Sequence, residues 1–407
     1  MIESFELNNG IRVLHKWADN HIAHCGIFIN TGSRDEEPAE NGMAHFIEHV
    51  IFKGTEKRKA YHILNRLESV GGDLNAFTAK ETTCIYASFL NEFYDRTLEL
   101  ISDIIFHSVF PVKELEKEKD VIIDEINSYK DTPSEYIFDE FEELIFNGHS
   151  LGRNILGKPD VLKKFRREDV LRFIDKNYFT DQMVICSVGK MEMKKLRSLV
   201  EKYYGCIRSK HRARDRVPFS GYEPAKKTEE KKIFQTHCLI GNEAYARSHD
   251  KRMTLVLLNN ILGGPGLNSR LNLMIREKYG FTYHIESSYQ PYSDTGIWSV
   301  YLGTTNGSAN RTIQLVMKEL KKLREQKLGS LQLKRAKTQF KGQIAIHFES
   351  NLNKMLSMGK SFLMDHKVDN LDEINRKVEE VTAEDILMVA NEIFHPDQLS
   401  TLIYKSE

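Results

Sequence analysis

The sequence predicts an α+β fold built from two related two-layer domains, each with helices on one side of a sheet. Three observations support this prediction. The chain of 407 residues is long enough for more than one domain. Helix-like and strand-like segments are mixed along it and do not strictly alternate. The order of these segments in the first half also returns in the second half, which indicates an internal repeat.

The repeat can be followed through individual residues. The segment 23–27 (Ala-His-Cys-Gly-Ile) resembles the segment 236–240 (Thr-His-Cys-Leu-Ile), and in each half an amphipathic helix follows. Matching positions around these helices are Met43 with Met253, Gly54 with Gly264, and Arg66 with Arg276. We interpret the shared order as an internal duplication.

Both halves continue with the same kinds of element. A helix that ends near glycine is followed by a stretch with strand-like alternation and then by two apolar-periodic helices. The strand-like stretches are 82–90 and 295–302; the helices cover 97–106 and 312–323, with a further one beginning near Leu115 and Leu333. Residues 132–135 (Thr-Pro-Ser-Glu) predict the start of another helix with a capping box.

The boundary between the halves is predicted from composition. Residues 209–232 are rich in charge and contain Pro218, Gly221 and Pro224, which is typical of a linker. We therefore expect a first domain over residues 1–212, a linker over 213–230 and a second domain over 231–407.

Charge and cysteine content narrow the function classes. Lys plus Arg equals Asp plus Glu at 58 each, so the chain has no basic field that would attract nucleic acid. The N-terminus does not resemble a signal peptide, and no apolar run approaches the roughly 20 residues that span a bilayer. The five cysteines are odd in number and form no C-x-x-C pair. We expect a cytoplasmic protein with reduced, mostly buried thiols.

The segment 45–49 (His-Phe-Ile-Glu-His) carries the chemistry. On a helix, His45 and His49 are one turn apart on the same face, so both imidazoles can bind one zinc ion. Glu48 lies beside them and is placed to accept a proton from an attacking water molecule. This order inverts the commoner His-Glu-x-x-His signature. Two structural histidines on a helix are the alternative.

A catalytic zinc site needs a third protein ligand. Glu125 is the candidate, in a helical stretch where Glu118 lies seven residues earlier on the same face. Glu118 is then placed to orient a ligand from outside the metal's coordination shell. On spacing alone, a solvated acidic helix face explains both glutamates as well.

These residues resemble those of the inverted-zincin peptidase family M16, which includes pitrilysin, insulin-degrading enzyme and the mitochondrial processing peptidases. Its signature is His-x-x-Glu-His, followed after some seventy-five residues by a glutamate that is paired with another seven residues earlier. Here 75 residues lie between His49 and Glu125, and Glu118 matches the paired glutamate. Residues 131–133 and 151–157 resemble the short-chain, processing-peptidase branch, and the similarity spans nearly the whole chain.

The resemblance implies two homologous α/β sandwich domains of the metalloprotease type shared by LuxS and the processing peptidases. It implies one zinc per chain, held by His45, His49 and Glu125 of a catalytic N-terminal domain, with Glu48 as general base and Glu118 as a supporting catalytic residue. At the repeat offset, the metal-site positions of the second half hold Leu255, Leu258, Asn259 and, nearby, Gln343. The C-terminal domain is therefore expected to bind substrate without metal.

Four further residues are assigned to substrate by the same resemblance. Arg276 and Tyr283 match an arginine and a tyrosine that contact the substrate backbone; a surface arginine and a core tyrosine are the alternative. Asn75 and Ala76 match an edge strand to which substrate adds as an extra β-strand, and a plain hairpin is the alternative.

The leading hypothesis is a zinc-dependent metalloendopeptidase that hydrolyses unfolded peptides or presequence-like segments in an enclosed chamber. The resemblance implies a homodimer, or a heterodimer with a related subunit, and no nucleic-acid or membrane partner. One alternative is a non-catalytic core or scaffold subunit of a processing-peptidase-like complex, although such subunits usually lose the zinc motif. Another is a small lyase with the same motif, such as S-ribosylhomocysteine lyase, which leaves the second half unexplained.

Overall fold

The computed structural model describes residues 2–212 and 215–406. Its strands are β1 Ile2–Glu6, β2 Arg12–Trp17, β3 Ile22–Ile29, β4 Asp73–Thr78, β5 Thr83–Leu90, β6 Met183–Gly189, β7 Lys226–Lys231, β8 Thr236–Ala244, β9 Thr282–Pro291, β10 Gly296–Thr304 and β11 Ser400–Ser406. Its α-helices are α1 Met43–Val50, α2 Ala60–Glu68, α3 Tyr94–His107, α4 Val112–Lys130, α5 Pro133–Ile145, α6 Pro159–Leu162, α7 Arg167–Asn177, α8 Met193–Tyr204, α9 Arg252–Gly263, α10 Ala309–Glu325, α11 Ser330–His347, α12 Asn351–Asp365, α13 Leu371–Glu380 and α14 Ala383–Ile393. A π-helix covers Asn272–Glu277.

In the described parts of the chain, these strands form two mixed sheets with the same internal order. The first sheet runs β1-β2-β6-β3-β5-β4, and the second runs β7-β11-β8-β10-β9. In each sheet one pair is parallel (β2 with β6, β7 with β11) and the strands that follow are antiparallel. The second sheet therefore repeats the first without its leading strand, and the predicted α+β fold of two related domains is confirmed.

The chain forms two compact units, and each takes residues from both halves of the sequence. Unit 1 contains residues 1–126, 153–216 and 346–368, and unit 2 contains residues 127–152, 217–345 and 369–407. The division expected at residues 213–230 cuts the chain once, so it does not describe these discontinuous units. The C-terminal part of the expected linker is also not a linker, because residues 226–231 form β7 and pair in parallel with β11.

Two helices account for the discontinuity. Helix α12 belongs to unit 1, where Met355 and Met358 pack on a face of the sheet that includes Phe28, Cys84 and Cys186. Helix α5 belongs to unit 2, where its buried side chains Ile137 and Phe141 join a core with Leu239 and Tyr404. Each helix buries its apolar face on the sheet of the opposite half of the chain. The other face of that sheet is covered by helices from the sheet's own half. Part of each unit's core thus comes from the opposite half of the chain.

A close approach fixes one residue of α12. A Cβ added to Gly359 would lie 2.1 Å from the fully buried ring of Phe28, so the helix can reach this sheet only with glycine at that position. We expect Gly359→Ala to destabilise the protein by about 1–3 kcal/mol, the usual cost of overpacking a core. Gly342→Ala in α11, an exposed position with nothing within 4 Å, is the matched control. It should stabilise by about 0.5–1 kcal/mol, because alanine is the better helix former. Urea unfolding measures both, and equal signs would contradict this packing.

Three smaller expectations can be compared with the structure. Helix α5 begins at Pro133 as predicted, but the predicted capping box is wrong, because the Thr132 hydroxyl donates to the Ser128 carbonyl. The cysteines are free thiols; Cys206 is exposed and the other four are buried. Within the described residues, no helix combines the length and the apolar character that crossing a membrane requires.

Candidate metal centre

The short helix α1 carries both predicted histidine ligands, and its start is held by a buried carboxylate. The backbone N–H groups of Gly42 and Ala44 each donate to the Glu36 carboxylate at 2.9 Å, and Asn41 Nδ2 donates at 3.3 Å. These donors include free amides of the helix N-terminus, which favour a negative charge, whereas burial is the larger effect and raises the pKa of Glu36 to about 8. Gly42 has φ +96°, and its own Cα lies against Gly157, so this start also requires glycine.

The structure brings the three predicted ligands together within unit 1. Glu125 Oε2 on α4 lies 3.8 Å from His45 Nε2 and 3.5 Å from His49 Nε2. One ligand atom from each residue lies within 4.8 Å of the others. Since residues i and i+4 share a helix face, α1 presents both imidazoles to the same point on α4.

The chemistry of this donor set fits a catalytic zinc ion. Two imidazole nitrogens and one carboxylate oxygen are a known catalytic ligand set, which leaves the fourth position for water or substrate. Burial, and secondarily the neighbouring His49, lowers the pKa of His45 to about 4, so His45 is a neutral ligand at pH 7. The Glu125 side chain is 44% exposed, so solvent reaches the site from that side.

A second carboxylate holds the outer nitrogen of one ligand. The Nδ1 atom of His49 lies 3.2 Å from Glu118 Oε2, and Lys53 Nζ lies 2.7 Å from Glu118 Oε1. The Glu118 side chain is only 11% exposed, and these two partners fix the orientation of its carboxylate. The structure therefore places Glu118 beside His49, as the family resemblance implied.

Glu48, the predicted base, lies beside the ligands on α1 and reaches toward β4. Burial raises its pKa, and hydrogen bonds from the side chain and backbone N–H of Thr78 counter that shift. The Thr78 hydroxyl also donates to the Ala44 carbonyl at 3.5 Å. In this place next to the predicted ligands, the Glu48 carboxylate is able to accept a proton.

The predicted substrate residues Asn75 and Ala76 lie on β4, the last strand of the first sheet. They pair with β5 through Tyr86 and Ile85, so the outer edge of β4 has no strand neighbour among the described residues. Thr78, which lies beside Glu48, is on the same strand. Strand β4 therefore connects a free sheet edge with the predicted base.

Arg276 and Tyr283 lie in unit 2, where both line a cavity of about 320 Å³. Tyr283 is 87% exposed, which excludes the alternative of a core tyrosine. At the repeat offset, Leu255 and Leu258 are buried apolar residues, and Asn259 and Gln343 are neutral amides: Asn259 accepts from the Trp298 indole N–H, and Gln343 Oε1 accepts from Asn260 Nδ2 at 2.8 Å. These two leucines and two amides offer no metal-binding set.

The fold and this donor set define the class. The family model described as "Insulinase (Peptidase family M16)" matches residues 12–159, and the one described as "Peptidase M16 inactive domain" matches residues 164–340. The chain belongs to peptidase family M16, since it is also 33% identical to a curated relative along its whole length.

The relatives are zinc proteases and a processing peptidase. The 33% relative is an uncharacterized zinc protease of Bacillus subtilis, YmxG, with 100% of this chain and 99% of that protein covered. The beta subunit of the mitochondrial-processing peptidase of Saccharomyces cerevisiae is 30% identical, with 95% and 87% covered. Among solved structures, a protease from Helicobacter pylori has a TM-score of 0.92 at 20% identity, with 100% and 99% covered, which supports the fold.

Three residues around the centre were not found from the sequence: Glu36 at the start of α1, Lys53 beside Glu118, and Thr78 beside Glu48. Lys53 and Thr78 act across long sequence separations, whereas Glu36 accepts from backbone N–H groups six and eight residues later; all three belong to common residue types. Only Thr78 had a local signal, because it follows Asn75 and Ala76 in the strand assigned to substrate.

Proposed function

We propose that this chain is a zinc-dependent endopeptidase whose catalytic centre is His45, His49, Glu125 and Glu48 of unit 1. The observation that carries the proposal is the convergence of the three ligand atoms within 4.8 Å, with a carboxylate base next to them. The relatives named zinc proteases support the same reaction class.

In this proposal each residue has a distinct task. Zinc, when bound, polarises the scissile carbonyl and lowers the pKa of water toward about 7. Glu48 accepts a proton from the attacking water and returns it to the leaving amine. Glu118 holds the outer nitrogen of His49, and Thr78 counters the rise that burial causes in the pKa of Glu48. Arg276 and Tyr283 act as donors to the substrate backbone.

The proposed substrates are unfolded peptides or presequence-like segments, bound in extended form in an enclosed chamber. A peptide that pairs with the outer edge of β4 is held by main-chain hydrogen bonds, which place weak demands on its sequence. That edge leads to Thr78 and Glu48, so a peptide on Asn75 and Ala76 would be bound next to the base.

The test is turnover of a mixed peptide library with and without a chelator. We expect the purified protein to cleave internal bonds, to lose this activity with the chelator, and to regain it when zinc is restored, because the base alone does not replace the metal. Cleavage that persists in protein shown to be free of metal would contradict the proposal.

The scaffold alternative is not favoured. A chain without catalysis has no need for three converging ligand atoms and a held carboxylate, and this chain retains all four side chains. In the second unit, buried leucines and neutral amides stand at the matching positions.

We further propose that the active form is a dimer, most simply of two copies of this chain. The yeast relative is by name one subunit of its enzyme, which supports assembly as a property of this branch. Light scattering should then give about twice the chain mass of 47.2 kDa. A monomer mass at concentrations where peptidase activity is full would contradict this.

A further inference from the structure

We propose that Lys53 is a positioning residue for the metal centre, acting through Glu118 on His49; the inference rests on the proposed zinc site. The contacts form one chain, from Lys53 Nζ to Glu118 Oε1 at 2.7 Å and from Glu118 Oε2 to His49 Nδ1 at 3.2 Å. His49 Nε2 faces Glu125 at the other end.

The charge of Lys53 decides what Glu118 can do. An ionised carboxylate only accepts hydrogen bonds, so its contact with His49 requires the proton on Nδ1 and leaves the Nε2 lone pair for the metal. Lys53 lies 2.7 Å from the other carboxylate oxygen and carries the opposite charge, which holds Glu118 in one orientation.

The two histidine ligands differ in this respect. His49 has the anchor just described, whereas His45 Nδ1 is buried without a hydrogen-bond partner among the described residues. His45 is oriented by packing, since it is 8% exposed on the inner side of α1. Of the two ligands, His49 is therefore the one whose orientation depends on charged neighbours, and Lys53 is the outermost of these neighbours.

Lys53 is also well placed to hold this orientation. It follows α1 by a tight turn in which its own N–H donates to the Val50 carbonyl, so its backbone is fixed to the metal-binding helix. Its side chain, 29% exposed, crosses to Glu118 on α4. Lys53 thus links the helix that carries both histidines to the helix that carries Glu125.

The experiment measures the zinc dissociation constant of metal-free protein by competition with a chromophoric chelator. Lys53→Met keeps the aliphatic stem and removes the charge, and it should weaken zinc binding about 10-fold, at the lower end of the range for residues outside the coordination shell. Lys53→Arg should stay close to wild type. Lys117→Met is the matched control, because Lys117 pairs with Glu114 on the exposed side of α4 and should leave zinc affinity unchanged.

A double-mutant cycle separates action through Glu118 from a general structural effect. Glu118→Gln should weaken zinc binding by itself, and adding Lys53→Met should then cause no further loss. If Lys53→Met matches wild type, or weakens zinc equally in the Glu118→Gln background, the inference is overturned while the zinc site stands. If wild-type protein binds no zinc, the proposed function itself fails.

Discussion

Glu48→Gln is expected to bind zinc like the wild type and to lose nearly all peptide hydrolysis. The change removes the general base but no ligand, and general-base catalysis typically contributes about 10²–10⁴-fold. The carbonyl oxygen of the substituted amide can still accept the hydrogen bonds that Thr78 donates, so the local structure should be retained. Turnover of a fluorogenic peptide, measured beside metal content, gives both results.

The matched control is Glu68→Gln, an exposed glutamate at the end of α2. It should leave turnover and zinc content unchanged. If Glu48→Gln cleaved peptide at the wild-type rate, the assignment of the base would be wrong, and zinc lost from this variant would place Glu48 among the ligands.

The second large effect is expected from His49→Ala. Zinc-finger sites bind with about 10–16 kcal/mol shared over four ligands, so one ligand is worth roughly 3 kcal/mol, or about 100-fold in affinity. His49→Ala should therefore lose zinc during purification and lose peptidase activity with it. His62→Ala removes an exposed histidine of α2 and should change neither. Full zinc retention by His49→Ala would remove this residue from the metal site.

Much of the fold follows from local patterns, but the packing of α5 and α12 on the sheet of the opposite half of the chain does not. The repeat in the sequence predicted two related α+β domains, and the matching strand orders agree with it. Amphipathic periodicity also marks α5 and α12 as helices with one buried face. Which sheet each face covers depends on long-range packing, such as the fit of Gly359 on Phe28, and local periodicity carries no such information.

The site divides in the same way. The spacing of His45 and His49 on one helix predicted a shared metal position, because helix geometry is a local property. Glu125 and Glu118 required the family resemblance, since their distance from α1 depends on the tertiary fold. Lys53 and Glu36 escaped notice because a lysine after a helix and a glutamate in a loop usually face solvent. The partner of Lys53 becomes visible only when α1 and α4 are placed together, and the partners of Glu36 only when the loop before α1 is folded onto the start of that helix.

The most direct test of the proposed zinc site is the metal content of protein purified without added metal. We expect about one zinc per chain in the wild type and in Glu48→Gln, and almost none in His45→Ala, because the three side chains on α1 and α4 form a single site. Elemental analysis of the three proteins at equal concentration measures this. A wild type that binds no zinc, or a His45→Ala variant that keeps all of it, would contradict the proposed zinc site.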